Sequence, residues 1–426
     1  MNESFLHYLW QFQYFDKKNL CATEGEAISI LKTGNMNTHA GPDFSNAKVR
    51  IADIEWAGNI EIHIKSSDWY AHKHDVDSAY ENVVLHVVWE NNKPVYRKDG
   101  TPLATLELKN KVNESILREY QKLIGNPAAI ACERSFRHVS ELVKFSMLDK
   151  ALMQRLETKA QHVHELVKLN NGDWEETTYQ LLAKNFGFKT NSDPFFQLSK
   201  SLPYKIIQKQ SQLILVEALL FGQAGMLETK TKDEYVTQLF REYHLLEQKF
   251  SLQDSKLNPS QWRFLRLRPA NFPTVRLAQF AALLFSTKNI FSHLTSLDAG
   301  RSVDRLLSHA QSDYWKLHYR FGKKAKGIVP GLGNSSIQNI VINTVAPLLV
   351  AYGKYKDEQS YIDSAVNFLQ QLPAEQNKIT RTWLDLGLKV KTAFDSQALI
   401  ELHNNFCQKR QCLNCNIGIS ILKPDL

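Results

Sequence analysis

Cysteine is scarce in this chain, with five in 426 residues. So few thiols in so long a sequence make no disulfide framework, and they are expected to stay reduced or to bind metal. No export signal is visible: Met-Asn-Glu-Ser-Phe-Leu-His-Tyr-Leu-Trp has no basic stretch followed by a clean apolar one. Long apolar runs are missing too. The two most apolar stretches, 213–221 and 340–352, are interrupted by Glu217, Asn343 and Pro347, which makes them too short to span a bilayer. They read as buried helices, and the expected setting is cytoplasmic with no membrane partner. There is no internal repeat and no low-complexity tract. Gly331 and Gly333 form a Gly-x-Gly, but the Lys-Ser/Thr of a Walker loop does not follow.

What remains is an ordinary globular composition, 43% hydrophobic and 23% charged, long enough for two or three domains. Lys and Arg exceed Asp and Glu by a net charge of +8, and the pI is near 9.0. That balance favours an anionic partner, and nucleic acid is the expected one.

Two textures divide the chain. From about residue 34 to 108 the pattern is strand-like. Val49 and Ile51 alternate with polar neighbours, as do Ile60, Ile62 and Ile64, and 83–89 is a near-continuous apolar run suited to a strand buried on both faces. A short strand is expected at Val95–Tyr96, a helix over 3–12 and another over 27–32. After Lys109 apolar residues recur every three or four positions. Helices are expected over 114–124, 141–169, 174–186, 205–221, 234–250, 275–285, 338–351 and 361–372. The expected class is α+β: a mixed α/β domain at 1–125, a mainly helical and possibly nucleic-acid-binding domain at 126–400, and a cysteine-containing terminal segment at 401–426.

The densest polar cluster runs from Gly41-Pro42-Asp43-Phe44, through Glu61-Ile62-His63-Ile64-Lys65 and Asp68, to His72, His74 and Asp77. Along a strand Glu61, His63 and Lys65 share one face and the isoleucines the other. A carboxylate, an imidazole and an ammonium on one face suit metal-assisted hydrolysis. Asp68, His72 and His74 are expected to flank that site and contact substrate. His86, inside an apolar strand, reads as a core histidine.

Pro42-Asp43 followed by Glu61-Ile62-His63 resembles the signature of the PD-(D/E)xK nuclease superfamily. The resemblance implies a restriction-endonuclease-like α/β domain, with Asp43 and Glu61 as ligands to Mg2+ or Mn2+. His63 stands where that family has lysine, so either His63 or Lys65 takes the role of serving the attacking water. Over nearly its full length the chain resembles a family of Bacteroidetes proteins recorded only as a domain of unknown function. The Gly-Pro-Asp-Phe block, the Glu-Ile-His and Ser-Ser-Asp-Trp blocks and the terminal Cys-Leu-Asn-Cys-Asn-Ile-Gly carry that likeness. The leading expectation is a divalent-metal-dependent nuclease-like protein acting on or binding DNA or structured RNA. Its rivals are a catalytically silent nucleic-acid-binding or scaffold protein, and a Zn-dependent hydrolase using His72, His74 and Asp77.

Two further groups stand out. Cys407, Cys412 and Cys415 fall in one short polar stretch. With a fourth ligand, either Cys132 or His403, they are expected to hold Zn2+ or a 4Fe–4S cluster. Arg263, Arg266 and Arg268 lead into a Pro-Ala-Asn-Phe-Pro turn and then Arg276, and Arg320, Lys323, Lys324 and Lys326 form a second basic group. Both are candidate contacts for phosphates.

Overall fold

The computed structural model describes residues 2–37, 39–227, 232–296 and 302–423. The fold is α+β, and contacts divide the chain into two units. The first comprises Met1–Leu148 with Leu402–Leu426; the second is Asp149–Glu401.

The first unit is built on a mixed sheet of β1 (Ile28–Lys32), β2 (Asn35–Met36), β3 (Phe44–Ile51), β4 (Ile54–Lys65), β5 (Val83–Glu90) and β6 (Thr105–Glu107). The strand order is β1-β3-β4-β5-β6, with β2 paired to β3. β1, β3 and β4 are antiparallel neighbours, whereas β4–β5 and β5–β6 are parallel. Residues 27–32, expected as a helix, pair instead as a strand. Ile28 and Ile30 sit opposite Ile51 and Val49, and their spacing of two suits the pleat once β3 is alongside. Val95–Tyr96 forms no strand, only a single bridge from Tyr96 to Pro102.

Helix α1 (Glu3–Phe12) starts where the Asn2 side chain accepts the Phe5 N–H. It buries Phe5, Leu6, Leu9 and Trp10 completely. They share a core with Ile60, Ile62, Leu85 and Val87 of the sheet and with Ile116, Tyr120 and Leu123 of the helix Glu114–Gly125. Each such side chain contributes roughly 1.5–3 kcal/mol by leaving water. The side chains of Glu61, His63 and His86 alternate away from that core. Between β4 and β5 the chain makes a short helix, α2 (Asp68–Ala71), whose Trp69 is buried with Val83, Val95 and Leu103.

The second unit is nearly all helix, with one small hairpin pairing His318–Arg320 to Lys323–Lys324. The stretch expected as one helix over 205–221 is two, Tyr204–Gln208 and Leu213–Gln223, separated by the polar run Lys209-Gln210-Ser211-Gln212. The run at 340–352 belongs to a longer continuous helix over 334–356, the one described helix long and apolar enough to cross a membrane. It is a core helix: Ile340, Val345, Leu348, Val350 and Ala351 are fully buried. Pro347 has no N–H to give the Asn343 carbonyl, and the helix widens to a π turn at Val341–Val345. Lys159 Nζ and the Asn185 amide reach into this turn.

Candidate metal centre

Register brings the acidic pair together. Phe44 of β3 pairs with Ile60 of β4, so Asp43 falls opposite Glu61, and Glu61 pairs in turn with His86 of β5. Asp43, Glu61 and His86 thus make a row across three strands. The row is cross-bonded: the Asp43 N–H donates to Glu61 Oε2 at 3.2 Å, and the Ile62 N–H donates to Asp43 Oδ2 at 2.9 Å. His7 of α1 approaches the same Asp43 oxygen through Nε2, at 3.3 Å.

Histidines gather on the other side of Glu61. Its Oε1 lies 3.2 Å from His74 Nε2 and 3.5 Å from His63 Nε2. His63 Nε2 lies 3.1 Å from His72 Nδ1, and its other ring nitrogen 2.8 Å from His86 Nε2. His63, His72 and His74 each offer a ring nitrogen within 4.8 Å of the other two. Burial grades outward: His63 and His86 are enclosed, His74 is half-buried, and His72 is exposed. Tyr80 stacks on His74, and Trp69 meets it edge-on.

The electrostatics follow from this packing. Glu61 is 5% exposed, and burial together with the Asp43 charge pushes its pKa to about 9. Burial lowers His63 to about 4, with His74 and His72 adding to the shift, and lowers His74 and His86 as well. Burial thus favours the neutral imidazole at His63, His74 and His86, the form that binds a metal. A metal-bound imidazole commonly has its second nitrogen tied to a fixed partner, and His86 stands in that position for His63.

Glu3 and His7, four apart on one face of α1, were not visible as site residues. Burial raises the pKa of Glu3, whose electrostatic neighbours are His72, Asp43, His7 and Asp68. Their spacing was the available signal, but nothing local says which sheet end that face meets. Lys65 sits at the exposed end of β4, where its N–H donates to Asp68 Oδ2. Asp77 caps the turn Ser78–Tyr80 by accepting the Ala79 N–H, within electrostatic reach of His74.

In the second unit, Arg263, Arg266, Arg268, Lys323 and Lys324 are all exposed, and no ion pair engages them among the described residues. Arg320 joins the two basic groups, its guanidinium 4.1 Å from the ring centre of Phe264 and 4.7 Å from that of Phe272. Beside them lies a cavity of about 300 Å3 lined by Phe188, Asn271, Arg276, Ser335 and Ser336. Arg276 is buried there without a carboxylate; burial lowers its pKa to about 10, and its Nε has no acceptor.

A family model matches residues 3–378 of the chain. The protein belongs to the DUF2851 family of proteins of unknown function. The DUF2851 match takes in the whole carboxylate–histidine cluster and Cys132, and ends ahead of Cys407, Cys412 and Cys415. No curated protein and no solved structure matches the chain.

Proposed function

We propose that this DUF2851 protein is a divalent-metal-dependent phosphodiesterase of the nuclease type, acting on nucleic acid. One observation carries the reading: Asp43 and Glu61 interlock at one end of a mixed sheet and open onto three imidazoles. Burial beside the Asp43 charge keeps a proton on Glu61, and a bound cation would take that proton's place between the two groups. Asp43, Glu61, His63 and His74 are the residues that would hold the ion. A mixed oxygen and imidazole set suits Mn2+ or another transition-series cation better than Mg2+. When bound, such an ion supplies a Lewis acid for a phosphoryl oxygen and an acidified water.

The remaining groups have distinct tasks. His72, the exposed member of the trio, accepts the proton of the attacking water, the task assigned from sequence to His63 or Lys65. His86 fixes the ring of His63. Arg320 and the exposed Arg263, Arg266, Arg268, Lys323 and Lys324 meet backbone phosphates in the helical unit. The net charge of +8 supports an anionic polymer as substrate.

Incubation of the full-length protein with labelled single- and double-stranded DNA and RNA, with Mn2+, Mg2+ or Zn2+ added in turn, tests the reading. Metal-dependent cleavage that Glu61→Gln abolishes is expected. No cleavage of any substrate with any of the three metals, or cleavage untouched by Glu61→Gln, counts against it.

The trio also favours a second reading, a zinc hydrolase. His63, rather than Asp77, then stands with His72 and His74 as the third ligand. Cleavage of small activated esters or phosphomonoesters with Zn2+, and none of nucleic acid, would select it.

A further inference from the structure

The cysteines lie outside the centre just described, in two segments of the amino-terminal unit. Cys132 precedes the short helix Glu133–Phe136. Cys407 ends the π turn Leu402–Cys407, Cys412 opens the turn Cys412–Asn414, and Cys415 precedes the helix Asn416–Leu422. All four are free thiols, three of them buried and Cys132 half-buried. Ala131 and Cys412 belong to one core, against which Cys132 packs.

Arg410 ties the two segments together. Its backbone adopts the left-handed region, at φ 53°. Nη2 donates to the carbonyls of Asn126 (2.7 Å) and Ala128 (2.9 Å). Nη1 is buried with no acceptor at all. A buried guanidinium nitrogen left without a partner is costly and implies an anion that completes it. The groups placed to supply one are the thiols: Arg410 acts electrostatically on both Cys407 and Cys412.

Every pair among the four thiols is within electrostatic reach. Burial first, and then the neighbouring sulfurs, push Cys132 up to about 12, Cys412 up to about 11, and Cys407 higher still. Such thiols are protonated at neutral pH and become thiolates only when a cationic group joins them.

The spacing selects the group. A tetrahedral zinc with Zn–S bonds of about 2.3 Å draws its sulfurs to about 3.8 Å apart. Among the described residues, His63, His72 and His74 are the one set of three or more possible ligands with donor atoms mutually within 4.8 Å. No three of the four sulfurs meet that limit, so the set is wider than a single zinc draws its ligands. A cubane takes one thiolate at each of four irons, and its body holds the sulfurs apart.

We infer that Cys132, Cys407, Cys412 and Cys415 hold a 4Fe–4S cluster that clips residues 402–426 to the amino-terminal unit. Assembly from two ferrous ions, two ferric ions and four sulfides (S2−) releases the four thiol protons, with no change of oxidation state, and leaves the site net negative beside Arg410. Cys132 completes the set of four, so His403, whose Nε2 meets Gln408 at 3.3 Å, is not needed as a ligand. The clip joins positions far apart in sequence, so its binding free energy feeds directly into folding.

The test is elemental and spectroscopic. Full-length protein is purified without oxygen from cells supplied with iron and a sulfur source, then assayed for iron, zinc, acid-labile sulfide and visible absorption. About four irons and four sulfides per chain are expected, with a broad band that dithionite bleaches. Cys132→Ser and Cys412→Ser each lose most of the iron, whereas Cys21→Ser, at an exposed lone cysteine, retains it. Should a serine variant not fold, the wild-type stoichiometry decides alone. One zinc without labile sulfide, a protein free of metal, or full iron in Cys132→Ser overturns the inference.

Discussion

The carboxylates of Asp43 and Glu61 are each fixed by the other's strand: Glu61 Oε2 accepts the N–H of Asp43, and Asp43 Oδ2 accepts the N–H of Ile62. Neither can swing away without losing a backbone hydrogen bond. The backbone itself thus holds the pair in one geometry.

Metal affinity should follow from that lock. Glu61 touches both the acid side and the histidine side of the cluster, so Glu61→Gln should weaken Mn2+ binding at least tenfold in titration calorimetry, about 1.4 kcal/mol or more. Asp77→Asn, at a turn-capping residue, should leave it unchanged. Equal loss in both variants would place the ion elsewhere.

Salt tells whether the exposed arginines meet phosphates. Affinity for a short duplex, measured by anisotropy across a range of salt, should fall steeply. Replacing Arg263, Arg266 and Arg268 together should reduce the slope of log K against log salt by roughly 2–3, about 0.9 per phosphate contact. An unchanged slope would mean that these side chains touch only solvent.

Strand β4 was legible before the structure because Ile60, Ile62 and Ile64 keep a strict alternation. The same alternation put Glu61 and His63 on one face, and the sheet honours it. What could not be read was the cross-strand partner. His86 looked like a core residue because its neighbours are valine and leucine; only the pairing Glu61↔His86 turns it toward the site. Ala27–Lys32 failed for a related reason. Six residues with isoleucines two apart and a leucine directly after them fit either period, and the pairing with β3 decides. Glu3 and His7 depended on where α1 docks, a tertiary fact without a local signature.

Glu217 offers a pH test away from the metal centre. It is 1% exposed in the helix Leu213–Gln223, accepts the Tyr235 hydroxyl at 2.8 Å, and burial raises its pKa to about 7. The folded chain therefore holds a proton that the unfolded chain loses near pH 4.5, and stability falls as pH rises from there to about 7. Glu217→Gln should be near neutral at pH 5 and more stable than wild type by roughly 2–3 kcal/mol at pH 8, read from urea melts. A pH-independent difference would mean that Glu217 does not carry the effect.

Gly58 marks a close approach in β4. A Cβ there would lie 2.5 Å from the Asn82 carbonyl oxygen and 2.5 Å from Val84 Cγ1. Gly58→Ala should cost about 1–3 kcal/mol through forced separation of β4 from β5. Because Glu61 and His86 face each other across that seam, metal binding should weaken along with stability. A variant that melts and binds like wild type would show that the seam yields freely.

The amino-terminal unit is assembled from both ends of the chain, with Cys412 and Leu422 in the same core as Phe5 and Trp10. A ribosome delivers residues 149–401 before it delivers those last core members. The sheet that carries the candidate centre therefore keeps its core open until residues 412–422 have emerged. A transcript cut short, or a stalled ribosome, yields a chain with the carboxylate–histidine cluster present and its scaffold unsealed, an open target for proteases. The late-arriving segment thus acts as a check: only a copy translated through Leu422 gains a sealed amino-terminal unit.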